Sequence, residues 1–421
     1  MAAKKMAKNS SIKNIFAWSL YDFASSPYFV VILTFVFATY FTKSIAPTVI
    51  EGTALWGYTN SASALFIALA SPILGAIGDY GGHLKRWLFG LTYLGIVATA
   101  CLWFAYPNSS SIFFTLTCIF ISNCALEIAS VFYNSYLPKI APANYLGRIS
   151  GWAWGLGYFG GILCLIIALY GFIEGDWLDH ENLANVRSVA FLVAAWLALF
   201  SLPLVLIKTT EKKSLRARAA IKQGMHELIL TLKNLPQRKN LLLFLISRTI
   251  YMDGLNTLFA LGGIYAAGTF KLTVADVVVF GIIINITAGI GAALFAWLDD
   301  WLGSKKTILI SLSGLLITYC FLLSVEAVSL FWVFAPILGI FVGPVQSASR
   351  TFLSRLVKAE EITRMYGLYS LSGKITSFLG PLLVGIFTVA FNSQRIGMAV
   401  LIPFFVIGAG LLMVVKEEES F

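Results

Sequence analysis

Five ionisable residues interrupt long apolar runs of the sequence, and they are the first candidates for chemistry. They are Asp22, Glu127, Arg248, Asp253 and Lys374. A charged Asp, Lys or Arg at the centre of a membrane helix costs about 2.5–3.5 kcal/mol on insertion scales, so such a residue normally faces a cavity or an oppositely charged partner. The five residues therefore predict either a binding site for a polar solute and a coupling ion, or a set of structural ion pairs.

The acids in this set outnumber the bases. Asp22 and Asp253 each follow a tyrosine closely, precede small or polar residues, and have similar predicted depths in the membrane. Arg248 and Lys374 supply only two compensating cations for three acids. Because burial disfavours a charged carboxyl, we expect at least one acid to bind a proton during part of a transport cycle. We predict that Asp22 is this proton site, with Glu127 as the second choice.

Two further features complete the predicted site. Asn123 lies four residues before Glu127 and so shares its helix face. Arg248 lies five residues before Asp253, which places the two on different faces of a helix with about 100° per residue. Arg248 is then free to hold a substrate carboxylate or, in the empty state, one of the acids.

The elements that must position these residues are membrane helices. Of the 421 residues, 58% are hydrophobic and 12% are charged, whereas soluble domains contain about 25% charged residues. A helix needs about 20 apolar residues to cross a bilayer. Twelve runs meet this requirement, which predicts an all-α integral membrane protein with two pseudo-symmetric six-helix bundles. The predicted spans are 14–42, 53–78, 86–105, 111–136, 147–172, 187–207, 241–267, 274–298, 306–325, 328–349, 365–390 and 395–415.

A basic stretch separates the two sets of six spans. We predict an N-terminal bundle over 1–207, a cytoplasmic linker over 208–240 and a C-terminal bundle over 241–421. Within the linker, Ile221, Leu228 and Leu232 follow helical spacing beside Lys222 and Lys233. This pattern is typical of an amphipathic helix that lies on the inner leaflet, and a linker helix packed on the bundle explains it equally well.

The basic residues predict the orientation in the membrane. Most of the 30 lysines and arginines fall in segments on the same side of the membrane as the N-terminus. Only Lys43, Arg187, Lys271 and Arg395 fall in loops on the opposite side. This bias favours cytoplasmic N- and C-termini, and it explains the net charge of +10 without nucleic-acid binding. We expect a multi-pass protein of the bacterial cytoplasmic (inner) membrane, with a vacuolar membrane as the alternative.

Two loops at equivalent positions of the two halves carry the same pattern of a small residue, an aspartate four residues later, a glycine and a basic pair. The first contains Gly75, Asp79, Lys85 and Arg86, and the second contains Ala296, Asp300, Gly303, Lys305 and Lys306. A small residue allows close helix approach, and the aspartate can cap a neighbouring helix N-terminus. We predict that both loops gate transport, with a stronger effect for Asp79 because the second copy has alanine instead of glycine.

These loops resemble the signature loop of the major facilitator superfamily. Further motifs resemble the autophagy-related vacuolar amino-acid effluxer family and its bacterial relatives, within that superfamily. They are Trp18–Ser26, Tyr133–Pro138, Gly147–Tyr158, Gln346–Arg350, Tyr366–Lys374 and Ser377–Pro381.

The resemblance implies a twelve-helix transporter whose helices one, four, seven and ten line a central cavity. These helices carry Asp22, Glu127, Arg248, Asp253, Gln346 and Arg350, whereas Lys374 falls on helix eleven. Eukaryotic members are linked to amino-acid efflux from vacuoles, so the resemblance also implies amino acids as a substrate class.

We therefore expect a secondary active or facilitative transporter of a small polar solute that works by alternating access. Its partners would be that solute, protons or another coupling ion, and the lipid bilayer, and the protein would be a monomer. The sequence shows no catalytic constellation and no metal or cofactor motif; the Gly155-x-Gly157-x-x-Gly160 pattern lies inside an apolar span, where glycines serve helix packing. A non-transporting receptor or scaffold and a lipid scramblase remain the alternatives.

Overall fold

The computed structural model describes residues 2–81, 84–175, 181–205, 217–272 and 274–416. Every regular element in those ranges is helical. Eleven helices are long and apolar enough to cross a bilayer. A further helix of 32 residues carries Arg248, Asp253 and Asn256, which lower its hydropathy. The predicted all-α membrane fold with twelve long helices is confirmed.

We number these helices α1 to α12 in chain order. The first six are Ile12–Ile45, Glu51–Gly81, Leu84–Phe104, Ser109–Ile140, Leu146–Ile173 and Glu181–Val205. The last six are Lys239–Phe270, then Val279–Leu302, Ser304–Ser324, Val328–Leu356, Ile362–Phe391 and Gln394–Val414.

Each group of six helices has its own apolar core. One buried cluster lies almost wholly between Leu241 and Val415, and two others lie within the first six helices. The two groups meet where α2 packs on α11 and where α5 packs on α8. The bundles are therefore joined by two related helix pairs. The domain boundaries at 207 and 241 stay a prediction, and residues 206–216 lie outside the described residues.

Helix α11 is broken near its middle. Its first part, Ile362–Lys374, ends at a turn over residues 375–378, and its second part is Leu379–Phe391. A side chain at Gly380, next to the break, would collide with the Thr257 hydroxyl of α7. Broken helices in transporters expose backbone groups to the substrate or the coupling ion. The break therefore marks a region where α7 and α11 can form a site.

A separate helix, Ala217–Asn234, connects the bundles, and we call it the linker helix. It packs against α2, and a Cβ atom at Gly224 would lie 2.8 Å from the Ala76 carbonyl oxygen. Its opposite face exposes Ile221 and Ile229. We call the end of the bundle that carries this helix the linker side, and the other end the far side.

Candidate functional site

Asp22 is paired with an arginine of the other bundle. Arg350 Nη1 lies 3.0 Å from Asp22 Oδ2, and the guanidinium also donates to the Ser150 hydroxyl at 2.9 Å and the Ser150 carbonyl at 2.7 Å. Its Cζ lies 4.8 Å from the centre of the Trp18 ring. Helix α10 extends to Leu356 rather than ending at 349 as predicted, so Arg350 is buried inside a membrane helix.

Glu127 and Lys374 form a second pair between the bundles. Lys374 Nζ lies 2.7 Å from Glu127 Oε1, and the two side chains are 29% and 20% exposed, respectively. Glu127 lies on α4, and Lys374 ends the first part of α11. The break in α11 therefore begins at a residue that contacts the other bundle.

Arg248 pairs with no acid among the described residues. Its Nη1 donates to the Tyr369 carbonyl at 2.6 Å and to the Ser372 hydroxyl at 2.7 Å. The guanidinium Cζ lies 3.4 Å from the centre of the Tyr369 ring, and Gly373 leaves room for it. Arg248 thus holds α7 against the first part of α11 through neutral acceptors.

Asp253 is the most isolated of the five residues. The residue is 2% exposed, and neither carboxylate oxygen has a hydrogen-bond partner in the described part of the chain. The Thr376 hydroxyl and the Gly380 amide face it from the break in α11, without meeting hydrogen-bond geometry. An isolated buried charge is strongly unfavourable, so this carboxyl is suited to bind a cation or a proton.

The predicted surplus of acids over bases is wrong, because Arg350 is a third buried cation. Sequence reasoning placed Arg350 on helix ten beside Gln346, but it ended that span at 349 and so counted Arg350 with the cytoplasmic charges and not with the buried ones. The missed signal is its spacing: it follows Gln346 by four residues and so continues the same helix face. Asp22 and Glu127 are paired in this conformation, and Asp253 is not.

A cavity of about 780 Å³ lies between the bundles in the far half of the molecule. Among the described residues that line it, none is charged; most are aliphatic or aromatic, and the polar ones include Asn256, Asn285, Gln346 and Tyr158. Gln346 Nε2 donates to the Tyr158 hydroxyl at 3.2 Å across the bundle interface. The cavity can therefore surround a small solute and offer it neutral hydrogen-bonding groups.

The predicted polar residues differ in their relation to this cavity. Gln346 lines it, whereas Asn123 does not. Asn123 is buried on α4, and its side-chain oxygen has no partner among the described residues. None of the five charged residues lines the cavity either, but Asn256 connects the two regions by donating to the Gly373 carbonyl at 3.3 Å.

The wall of the cavity includes an irregular part of α1. Residues Tyr28–Phe35 form a π-helical segment, and Val30, Thr34 and Phe35 from this segment line the cavity. Such segments are rare and are frequently found at functional sites. The irregular turn widens α1 at the place where it faces the second bundle.

The linker side is closed by the first of the two predicted gating loops. Asp79, at the end of α2, accepts hydrogen bonds from the amides of Thr363 at 3.1 Å and Arg364 at 2.9 Å. These amides open α11, so the carboxylate caps a helix N-terminus of the other bundle. Gly75 allows the approach, because a Cβ there would lie 2.6 Å from the Thr363 carbonyl oxygen.

The second gating loop repeats this contact with the bundles exchanged. Asp300, at the end of α8, accepts from the amides of Gly147 at 2.7 Å and Arg148 at 3.1 Å, which open α5. Arg148 Nε lies 2.8 Å from Asp300 Oδ2. Ala296 stands where the first loop has Gly75, and Gly151 of α5 supplies the missing space, since a Cβ there would lie 2.6 Å from the Ala296 Cβ.

The lysine that begins the basic pair of the second loop caps a helix end of its own bundle. Lys305 donates to the carbonyls of Met413 at 2.8 Å and Val415 at 2.6 Å, so it caps the end of α12 in its own bundle. Gly303, with φ of 89°, turns the chain between α8 and α9. Lys85 is half-buried, and Arg86 and Lys306 are exposed.

An unpredicted arginine reinforces the second loop instead. Arg355 Nη1 lies 2.8 Å from Asp299 Oδ1, and its Nη2 lies 3.5 Å from Asp300 Oδ1. Sequence reasoning counted Arg355 with the loop charges because the predicted span ended at 349. The extension of α10 to Leu356 brings it to the gate.

The geometry thus shows a linker side sealed by contacts between the bundles and a cavity in the far half. Two aspartate caps and the Asp22–Arg350 and Glu127–Lys374 pairs all cross the interface. A rocking motion that opens the linker side has to break these contacts, and such two-state contacts are what an alternating-access carrier requires.

Comparison with known proteins agrees with this arrangement. The family described as vacuole effluxer Atg22 like matches residues 42–421. An uncharacterized MFS-type transporter of Bacillus subtilis, YxiO, is 27% identical over 416 residues, which cover 96% of this chain and 95% of that protein. Autophagy-related protein 22 of Yarrowia lipolytica is 23% identical over 66% of this chain, and the match spans about half (52%) of that longer protein.

Solved structures share the fold. The transporter FucP in the outward conformation superposes with a TM-score of 0.78 over 97% of this chain and all (100%) of that chain, at 12% identity. The proton:xylose symporter XylE superposes with a TM-score of 0.72 over 97% of each chain, at 13% identity. At these identities the likeness shows the fold alone.

The relatives are transporters and not enzymes, so the chain carries out membrane transport of a small-molecule solute. The expectation from the sequence motifs is confirmed: this chain belongs to the family of Atg22-like vacuole effluxers, within the major facilitator superfamily.

Proposed function

We propose that this protein moves a small, net-neutral polar solute by alternating access, and that the solute binds in the far-half cavity. The pair of aspartate caps carries the proposal. Each one joins a helix end of one bundle to a helix start of the other. Breaking both would free the linker side, and the cavity would then have to close on the far side.

The lining of the cavity supports the solute class. It combines aromatic and aliphatic surface with two asparagines, a glutamine and tyrosines. A charged solute would lose hydration without gaining a counter-ion there, whereas a net-neutral molecule with an apolar part would keep its hydrogen bonds. Amino acids with apolar side chains fit this description, and they are also the substrate class that the resemblance of the sequence motifs implies, so they are the first candidates.

We also propose that the linker side is cytoplasmic, so that both termini are cytoplasmic, and that the protein works as a monomer. The excess of lysine and arginine on that side supports the orientation. The bacterial relative matched over nearly its whole length supports a bacterial cytoplasmic membrane. Coupling to a proton gradient is the favoured source of energy, because the buried Asp253 carboxyl, which makes no hydrogen bond within the described part of the chain, can bind the proton.

Uptake by proteoliposomes tests the transport proposal. Radiolabelled amino acids and neutral sugars would be offered with and without an imposed pH gradient. We expect accumulation of at least one apolar amino acid, increased by the gradient. As a matched pair, Gln346→Ala should raise KM about fivefold, since a lost solute hydrogen bond costs about 1 kcal/mol, whereas Lys306→Ala on the linker side should leave KM unchanged. Absence of uptake for every solute class would contradict the proposal.

Labelling of single cysteines tests the orientation. In a background without the five native cysteines, a cysteine at Asn108 on the far side should react with an impermeant maleimide in intact cells. One at Arg218 on the linker helix should react only after permeabilisation. Both positions are exposed, so burial does not limit the reaction. Labelling of Arg218 in intact cells would reverse the proposed orientation.

A further inference from the structure

We infer that Asp253, at the break in α11, is the residue that binds the coupling ion, and that this ion is a proton. The inference rests on the proposed transport function and names its coupling site. It replaces the expectation that Asp22 binds the proton, because Asp22 is held by Arg350 at 3.0 Å in this conformation.

Among the residues that the structure describes, no cation forms an ion pair with Asp253. On its own helix the nearest cation is Arg248, which is held by Tyr369 and Ser372. On α11 it is Lys374, which is held by Glu127. Where helix α12 packs on α7 next to Asp253, the aromatic side chains of Phe404 and Phe405 lie against Gly254. On α10, Arg350 is held by Asp22.

The cost of an ionised carboxylate in this position is the physical basis of the inference. With 2% exposure and no hydrogen bond of standard geometry in the described chain, the charged form is compensated only by the Thr376 hydroxyl and the Gly380 amide that face it. A proton added to one carboxylate oxygen removes the charge without any other change in bonding. The conformation described here is therefore the one that a proton at Asp253 stabilises.

The donor set fits a proton better than a metal ion. Hard metal cations take about six or more oxygen ligands. Here the Thr376 hydroxyl faces the carboxylate, while the Thr257 hydroxyl already donates to the backbone carbonyl of Asp253 at 2.7 Å. No group of three or more acidic, histidine or cysteine side chains suited to a metal occurs in the described residues. Gly380 also packs directly on Thr257 beside the carboxylate.

The break in α11 links this site to the closed linker side. The first part of α11 is capped by Asp79 at its start and ends at Lys374, which contacts the other bundle. The second part begins beside Asp253. Loss of the proton places a charge at the break, and the two parts of α11 must then move to let water or a cation reach it. That movement would weaken the contacts that α11 makes with α2 and α4.

Distance measurement between spin labels tests this inference without any solute. Labels at Asn144 and Lys358, exposed residues in the loops before α5 and α11, would report opening of the linker side in lipid nanodiscs. For the wild type, lowering the pH from about 9 to about 5 should shift the population toward the short distance, by up to tenfold per pH unit for one proton.

The variants then identify the residue. Asp253→Asn should hold the short distance at every pH, and Asp253→Glu should restore a pH response with a moved midpoint. Glu127→Gln alters an acid that is paired with Lys374. It should change the fraction of molecules with the short distance at a given pH and keep the pH response. Each variant would first be checked for a native elution volume and melting temperature.

Three results would overturn the inference. They are a wild-type distance that does not depend on pH, an Asp253→Asn variant that titrates like the wild type, and a response to Na⁺ at constant pH that Asp253→Asn abolishes. A normal pH response combined with no uptake of any solute would instead contradict the transport proposal alone.

Discussion

The two gating loops make the same backbone contact but receive different support. Asp79 and Asp300 each cap the start of a helix in the other bundle. Around Asp79 the support comes from the linker helix, where Glu227 lies 3.4 Å from Arg364. Arg238, just before α7, adds a bidentate pair with Glu361, just before α11. The two guanidinium nitrogens lie 2.7 and 3.0 Å from the carboxylate oxygens.

Around Asp300 the support comes from arginines of the helices themselves. Arg148 of α5 and Arg355 of α10 both reach the carboxylate, and Asp300 is only 2% exposed. The Asp79 cap is thus supported by the linker helix, which lies outside the two bundles, whereas the Asp300 cap is supported by buried charged side chains. A change in the linker can therefore act on one half of the gate and leave the other intact.

The largest effect is expected from Asp300→Asn. The change removes a buried charge shared by two arginines and two amides, and hydrogen bonds to charged groups contribute about 1.5–3 kcal/mol each. The open linker side should gain population by about tenfold to a hundredfold, measured with the Asn144 and Lys358 labels. Sequence reasoning predicted a milder effect than for Asp79, and the contacts predict the reverse order. If Asp300→Asn shifted the population of the open linker side less than Asp79→Asn does, the order expected from the sequence would be right instead.

A smaller effect, about tenfold, is expected from Asp79→Asn. This carboxylate caps two amides, and no described arginine side chain pairs with it directly. The amide side chain can still accept one of the two hydrogen bonds. The rate of solute transport should fall while KM stays near the wild-type value. A normal rate with a strongly raised KM would mean that Asp79 acts on binding and not on gating.

The smallest effect is expected from Gly224→Leu in the linker helix. The new side chain cannot fit against the Ala76 carbonyl, so the helix should shift away from α2 and weaken the Glu227–Arg364 pair. Partly exposed pairs contribute about 0.2–1 kcal/mol, which gives a change of a few fold at most. The effect of Gly224→Leu on the open population should not add to that of Asp79→Asn in the double variant. It should add to that of Asp300→Asn. Additivity in both cases would show that the linker helix does not support the first cap.

Much of the fold was predictable because each membrane span can be recognised from the length and apolar composition of its run of residues. The aspartate caps were also predictable, since the spacing of Gly75 and Asp79 recurs at Ala296 and Asp300. The pairing of buried charges was not, because it depends on which residues of distant helices meet. Arg350 was assigned to helix ten but left out of the buried charges, since a charge near the end of an apolar run is easily counted with the loop until its partner, Asp22, is seen.

The break in α11 was equally hidden from sequence. Gly373, Gly380 and Pro381 permit a break, but the same residues occur in continuous membrane helices packed closely on neighbours. Only the position of Asp253 beside the break gives these residues a functional interpretation. The far-half cavity is likewise lined by residues from distant helices of both bundles, so no local pattern encodes it.

The most direct test of the account is whether the two sides of the molecule open in alternation. The Asp79→Asn/Asp300→Asn double variant would carry the Asn144 and Lys358 labels in one sample. In a second sample it would carry a single cysteine at Asn285, which lines the cavity. The account predicts a longer label distance together with slower maleimide reaction at position 285 from the far side. A longer distance with unchanged or faster reaction at position 285 would contradict alternating access.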